Sequence, residues 1–459
     1  MNDPNGLVFL EGEYHLFYQH NPFGEAWGHM SWGHAVSRDL MSWEHLPVAL
    51  REENGVMIFS GSAVVDAANT SGLCGGEGSS CLVAVYTGHG HGKQTQNLAA
   101  SRDRGRTWTK YAGNPVLDLG LANFRDPKVF WHAPTKRWIM VAVLADQKKE
   151  RFFGSADLKR WETLSDFGPA GASEGVWECP DLFPLAVDGD PNDVRFVLDV
   201  DQNPGGQAGG SGDQYFVGTF DGQRFVNDNP ADQTLWVDYG KDFYASLSFS
   251  GIPPADGRRV WMGWMSNWLY ANEEPTSPWR GVQSVPRELS LRRGPEGIRL
   301  VQSPVRELRS LRMGTEPHLV REAMDLPGSA EIELEVTPGD WTEAGFRMRS
   351  SAGEEVVVGV TGRPLEVFVD RRQSRLAPFH VAYPGRHAGP LKWRDGRITL
   401  RVLFDRTTLE VFANDGETVI SDRLYPTRPF DRLEPLAGSG SHSLRLWTLA
   451  GNQGTGLSR

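Results

Sequence analysis

The chain has 459 residues, 39 % of them hydrophobic and 23 % charged, with a formal net charge of −11 and 16 tryptophans. That length exceeds one ordinary hydrophobic core, so two domains or one very large repeat-built domain are expected. No apolar run approaches the roughly 20 residues that span a bilayer, and no Lys/Arg cluster offers a surface for nucleic acid or anionic membrane, which leaves a soluble globular protein with a neutral partner.

From the N-terminus onward, the runs Tyr14 to Tyr18, Leu82 to Tyr86, Trp138 to Val143, Arg195 to Val200 and Val260 to Trp264 are rich in β-branched and aromatic residues. Gly, Pro, Asn and Asp lie around them, so they read as strands. Up to about Val301 no stretch sustains a helical apolar period, and helix should be scarce. Ser37-Arg38-Asp39-Leu40 leads to Trp43, Ser101-Arg102-Asp103 to Trp108, and Ser155-Ala156-Asp157-Leu158 to Trp161; a weaker copy runs from Thr219-Phe220-Asp221-Gly222 to Phe225. A repeat every 55 to 65 residues or so suits four strands plus long loops per blade of a β-propeller, against the plainer reading of a large β-sandwich.

Cys74 and Cys81 flank a Gly/Ser-rich loop and form either a local disulfide or two free thiols. Cys179 has no His or Cys partner at ligand spacing and reads as a packing residue. His15, His20, His29 and His34 sit among strand and turn signals and read as packing or surface groups, so neither metal nor cofactor is expected. The Arg-, Pro- and Gly-rich segment Pro286 to Arg312 marks a junction, giving a propeller over 1–292, a linker over 293–310 and a second domain over 311–459. In that last part Ala330 to Val336, Gly345 to Met348, Glu355 to Val360, Leu365 to Val369, Ile398 to Phe404, Thr408 to Phe412 and Ser443 to Trp447 read as strands of an antiparallel β-sandwich.

Three acids stand beside Pro or Cys: Asp3 in Asn2-Asp3-Pro4-Asn5-Gly6, Asp126 in Phe124-Arg125-Asp126-Pro127, and Glu178 in Trp177-Glu178-Cys179-Pro180. Each has a plain explanation of its own. Asp3 suits a turn, Asp126 a turn or an ion pair, and Glu178 a surface carboxylate. A propeller, however, converges its inner strands on one channel, and glycoside hydrolysis needs two carboxyl groups, one ionised and one protonated.

The blocks MNDPNGL at Met1, FYQHNP at Phe17, WGHMSWGHAVSRDL at Trp27, FSGSAV at Phe59, FRDPKVF at Phe124 and WECPDLF at Trp177 occur in order. SGDQYFVGTFDG from Ser211, WMSNWLYANEEPTSPWRGVQSVPREL from Trp264 and LEVFANDG from Leu409 follow. Together they resemble glycoside hydrolase family 32, the invertase, inulinase and levanase family, over nearly the whole chain. The resemblance implies an all-β chain, a five-bladed propeller followed by a β-sandwich, and a retaining reaction without cofactor. It assigns Asp3 as nucleophile, Glu178 as general acid/base and Asp126 as transition-state stabiliser. Asn2, Gln19, Trp27, Ser60, Arg125 and Trp268 would contact substrate, with Trp32 and Phe59 serving similarly.

The implied substrates are terminal β-fructosides of levan, inulin and sucrose, and the nearest alternatives are a fructosyltransferase and a catalytically silent fructan-binding protein. Residue 1 falls inside the first block, where family members carry a preceding Trp, so residues upstream of Met1 are expected. A secretion signal among them would make the enzyme extracellular; without one it would be cytoplasmic. Oligomeric state is left open.

Overall fold

A computed structural model describes residues 1–76, 78–436 and 442–451. Among these the chain is built of strands, with helix confined to four short 3-10 segments. It divides into two compact units: the first spans Met1–Val237, Phe243–Asn272 and Thr276–Leu300, the second Asp238–Asp242, Glu273–Pro275 and Val301–Arg459. The break at Leu300 lies inside the strand Gly297–Pro304, and Arg306–Leu311 forms a 3-10 turn. The segment read as a linker is therefore itself structured.

In the first unit, antiparallel strands lie side by side in sequence order. One sheet holds Pro4–Leu10, Glu13–His20, Ser31–Ser37 and Trp43–Leu50; the next holds Met57–Asp66, Cys81–Gly90, Lys93–Ser101 and Thr109–Lys110; a third holds Phe124–His132, Arg137–Leu144, Lys149–Ser155 and Glu162–Phe167. A fourth group, Val176–Val187, Asp190–Asn203, Gly212–Phe220 and Phe225–Asn227, is joined in one sheet to the last, Tyr244–Ser248, Arg259–Met265, Arg287–Gly294 and Gly297–Pro304, by one parallel strand pairing, Val187 with Leu291. The leading strands Pro4–Leu10, Met57–Asp66, Phe124–His132, Val176–Val187 and Tyr244–Ser248 neighbour one another in that order, and the last returns to the first through the bridge Val8–Ser250. This closed ring is the propeller expected from the repeat.

The repeat itself is the turn between the third and fourth strands of a group. Ser37 Oγ donates to Asp39, whose carboxylate accepts the backbone N–H of Met41 and Ser42, while Trp43 Nε1 donates to the Leu40 carbonyl. Asp157 repeats this with Lys159, Arg160 and Trp161. Asp103 uses Ser101 and Thr107, and in the weakest copy Asp221 still accepts from Gln223 and Arg224. An acid that closes its own turn in this way satisfies backbone donors the sheet leaves over.

Cys74 and Cys81 form a disulfide at the foot of the second sheet. His15 and His34 are buried against each other, Nδ1 to Nε2 at 3.1 Å. Burial pushes their pKa values down to about 4 and about 2, so both are neutral packing groups.

The second unit is a sandwich of two six-stranded sheets, one centred on Ser329–Val336 and Ile398–Asp405, the other on Glu343–Ser350 and Glu355–Gly362. Alternation is visible in Ser329–Val336, where Ala330, Ile332, Leu334 and Val336 face inward. They meet Phe346, Met348, Val356, Val358 and Val360 of the opposite sheet in one core.

Candidate active site

Every leading strand of the first unit carries a bulge, two residues set against one of its neighbour. The slips fall between Asn5 and Val8, Ile58 and Gly61, Glu178 and Asp181, and Tyr244 and Leu247, while in the third sheet Arg125 to Lys128 lie opposite Val141 to Val143. Bulges bend a strand and re-aim its side chains. Four of them use left-handed backbone, at Gly6 (φ 54), Asp126 (φ 60), Cys179 (φ 45) and Ala245 (φ 57). Gly6 is required on two counts, since a Cβ there would lie 2.7 Å from the Phe17 ring. Pro127 and Pro180, which lack an N–H, sit within such bulges, where no ladder bond is lost.

The bulges surround a cavity of about 260 Å³ lined by Asn2, Asp3, Gln19, Trp27, Phe59, Ser60, Arg125, Asp126, Glu178, Asn203, Tyr244 and Trp268. Asp3 Oδ2 accepts from Ser60 Oγ at 2.5 Å and Oδ1 from Asn2 Nδ2 at 3.0 Å. The Asp3 backbone is pinned as its carbonyl accepts the Gln19 N–H at 3.0 Å. Glu178 Oε1 accepts from Arg125 Nη2 at 2.9 Å, and Oε2 from the Tyr244 hydroxyl at 2.5 Å. Asp126 Oδ2 accepts the Cys179 backbone N–H at 3.1 Å, and its own N–H donates to Thr87. The buried Cys179 thiol reaches Asp3 Oδ2 at 3.8 Å and Asp126 Oδ2 at 3.7 Å. One residue thus links all three acids.

Burial raises the pKa of Asp3 above 3.8, a shift that the Ser60 and Asn2 hydrogen bonds oppose and the charge of Glu178 reinforces. Asp126 is pushed up to about 7, first by burial, with Arg125 opposing and the other two acids adding to the rise. A carboxyl whose pKa is higher folded than unfolded binds its proton more tightly in the fold. Its contribution to stability is therefore full below about 3.8 and is lost as pH climbs towards about 7. Thermal melts across that window are expected to show a flatter decline for Asp126→Asn than for the native protein; parallel curves would contradict the assignment.

Of the eleven residues expected at the site, ten line this cavity. Trp32 does not. It is 0 % exposed and packs with Phe17 and Tyr86, because it lies on the strand Ser31–Ser37, buried throughout, whereas Trp27 lies in the preceding loop, 46 % exposed. Trp32 Nε1 instead donates to the Phe59 carbonyl at 3.1 Å, steadying a residue that does reach the cavity. Asn203 and Tyr244 were not anticipated. Tyr244 leads an ordinary apolar strand, and only the ring closure brings it to Glu178.

Residues 1–304 match the model of the glycosyl hydrolases family 32 N-terminal domain, and residues 307–448 match that of the family's C-terminal domain. The chain is 48 % identical to a levanase of Bacillus subtilis (strain 168) over 98 % of its own length and 68 % of that protein. It is 38 % identical to an extracellular exo-inulinase of Aspergillus ficuum, covering 93 % of this chain and 87 % of the other. The crystal structure of exo-inulinase from Aspergillus awamori superposes with a TM-score of 0.93 at 35 % identity, over 98 % of this chain and 96 % of that one.

Proposed function

The chain belongs to glycosyl hydrolases family 32, and from that premise we propose a retaining β-fructosidase that removes terminal fructose from fructans and sucrose. The observation that carries this reading is the meeting of Asp3, Asp126 and Glu178 around one sugar-sized cavity walled by Trp27, Phe59 and Trp268. Asp3 attacks the anomeric C2 as Glu178 gives its proton to the departing glycosidic oxygen, leaving fructose covalently on Asp3. Glu178 then takes a proton from water, which attacks C2 and frees both fructose and the Asp3 carboxylate. Ser60 and Asn2 hold the attacking carboxylate in place. Asp126 and Arg125 are set to hold fructose hydroxyls as charge develops on the ring.

A second cavity of about 250 Å³ shares Asn2, Trp27 and Trp268 with the first and adds Trp264, Trp279 and Arg280. It suits the sugar on the leaving side, stacked on exposed aromatic faces. Hydrolysis is preferred over transfer because the relatives described above are named as hydrolases. The likeness to extracellular exo-inulinase supports action outside the cell, and no described helix is long and apolar enough to cross a membrane.

A product time course on levan, inulin and sucrose tests the reading. Free fructose is expected from the first time point on all three. Early short oligosaccharides would mean internal cleavage, lengthened ones at high sucrose would mean transfer, and no product at all would leave a binding protein.

A further inference from the structure

The strands Cys81–Gly90 and Lys93–Ser101 are joined by His91 and Gly92 alone, both with left-handed backbone (φ 53 and φ 77), the two-residue turn that matches the twist of a hairpin. That turn fixes the register, so His89 stands directly opposite Gln94, with both side chains on one face. The His89 ring lies flat on Phe59, centroids 4.5 Å apart and planes 4° apart, while Trp27 packs T-shaped with Phe59 at 5.9 Å. Phe59 walls the catalytic cavity, and the half-buried His89 backs it without lining that cavity itself.

The hydrogen bonds of the buried Gln94 amide decide which form of His89 is present. Arg125 can only donate; its Nη1 reaches Gln94 Oε1 at 3.5 Å while its Nη2 donates to Glu178 Oε1 at 2.9 Å. The Gln94 oxygen therefore faces the guanidinium, and Gln94 Nε2 donates to His89 Nδ1 at 3.3 Å. An accepting Nδ1 means a neutral imidazole that carries its proton on Nε2. An imidazolium would set N–H against N–H, and could keep Gln94 only if that amide turned over and released Arg125. We propose that His89 is a positioning residue for the reaction of this cavity, its neutral ring seating the Phe59 wall and, through Gln94, steadying the Arg125 guanidinium on Glu178.

The role rests on the β-fructosidase reading, since it acts through the sugar wall and the partner of the acid/base. His89 faces Met57 and Phe59 on the strand Met57–Asp66, Gln94 on Lys93–Ser101 and the charge of Arg125 on Phe124–His132. Lys93 is paired with Asp118, and His91 is exposed on the turn. Burial first, and then the Arg125 charge, lower the His89 pKa below 6.5, against the pull of the Phe59 face on a cation. The relay is therefore whole at neutral pH and is lost as pH falls through that lowered value.

The test starts on the native protein, whose ring-nitrogen NMR shifts at pH 7 should show His89 protonated on Nε2 alone. Two variants then divide the role. His89→Phe keeps the stack but not the acceptor, so kcat on sucrose should fall by on the order of 10- to 100-fold with KM little changed. His89→Asn returns an acceptor near the position of Nδ1 but not the ring, so KM should rise several-fold while kcat stays near native. In both, the acid limb of kcat/KM should lose one ionisation relative to the native enzyme. A ring protonated on Nδ1 at pH 7 overturns the proposal whether or not the variants fold. Variants that match the native enzyme, or that lose kcat and KM alike with the acid limb unchanged, overturn it equally. Native protein that releases no fructose overturns the fructosidase reading itself, and this role with it.

Discussion

Asp3→Asn is expected to lower kcat on levan, inulin and sucrose by on the order of 10⁴-fold, about 5.4 kcal/mol of barrier, while leaving the fold intact. The amide keeps the size of the carboxylate and an oxygen to accept from Ser60, so the cavity should hold its shape and KM should move little. What it lacks is the charge that bonds to C2. A loss confined to kcat, with unchanged circular dichroism and melting, is the signature of a missing nucleophile. Near-native turnover in the purified variant would remove Asp3 from that role. In the native enzyme the acid limb of kcat/KM should lie above the ordinary aspartate value of 3.8, since burial raises the Asp3 pKa and the group must be ionised to attack.

Glu178→Gln should differ in a way that separates the two steps. Loss of the proton donor is expected to cost about 10²- to 10⁴-fold on sucrose and fructans, whose leaving oxygens need protonation. An aryl β-fructofuranoside with a good leaving group needs no such help. With that substrate the variant should release one equivalent of phenol in a burst and then stall, because no base activates water against the fructosyl-enzyme. Added azide, a nucleophile that needs no base, should restore turnover and yield a β-fructosyl azide. An azide product of inverted configuration would argue for a single displacement, and absence of both burst and rescue would argue that Glu178 only positions the sugar.

Most of the architecture was legible because strands announce themselves locally. Every run singled out from Tyr14 to Trp447 falls within a strand, and the Ser-x-Asp turns recur because each must satisfy the same leftover donors. The acids were legible as motifs, through the Pro and Gly that their bulges demand. What local sequence hides is direction. Trp27 and Trp32 share one block, yet one lies in a loop at the cavity and the other in a buried strand. Tyr244 carries no signal of its own, since its role depends on a strand far along the chain returning to Glu178. The alternation Leu198-Asp199-Val200-Asp201 reads as one apolar and one wet face. Neither face is wet here, because neighbouring sheets of the ring cover both, and a polar face became an interior acidic pocket.

The bridge from Val8 to Ser250 has a bearing on how the enzyme wears out. It is the seam where the ring is sewn shut, joined also by Phe9 N–H to the Ser250 carbonyl and Ser250 N–H to that of Leu7. The strand on one side begins at Pro4, the residue after Asp3; the one on the other begins at Tyr244. Partial opening there would carry Asp3 and Tyr244 apart before the remaining sheets loosen, so heat inactivation should run ahead of bulk melting, and a cross-link across that stitch should bring the two together.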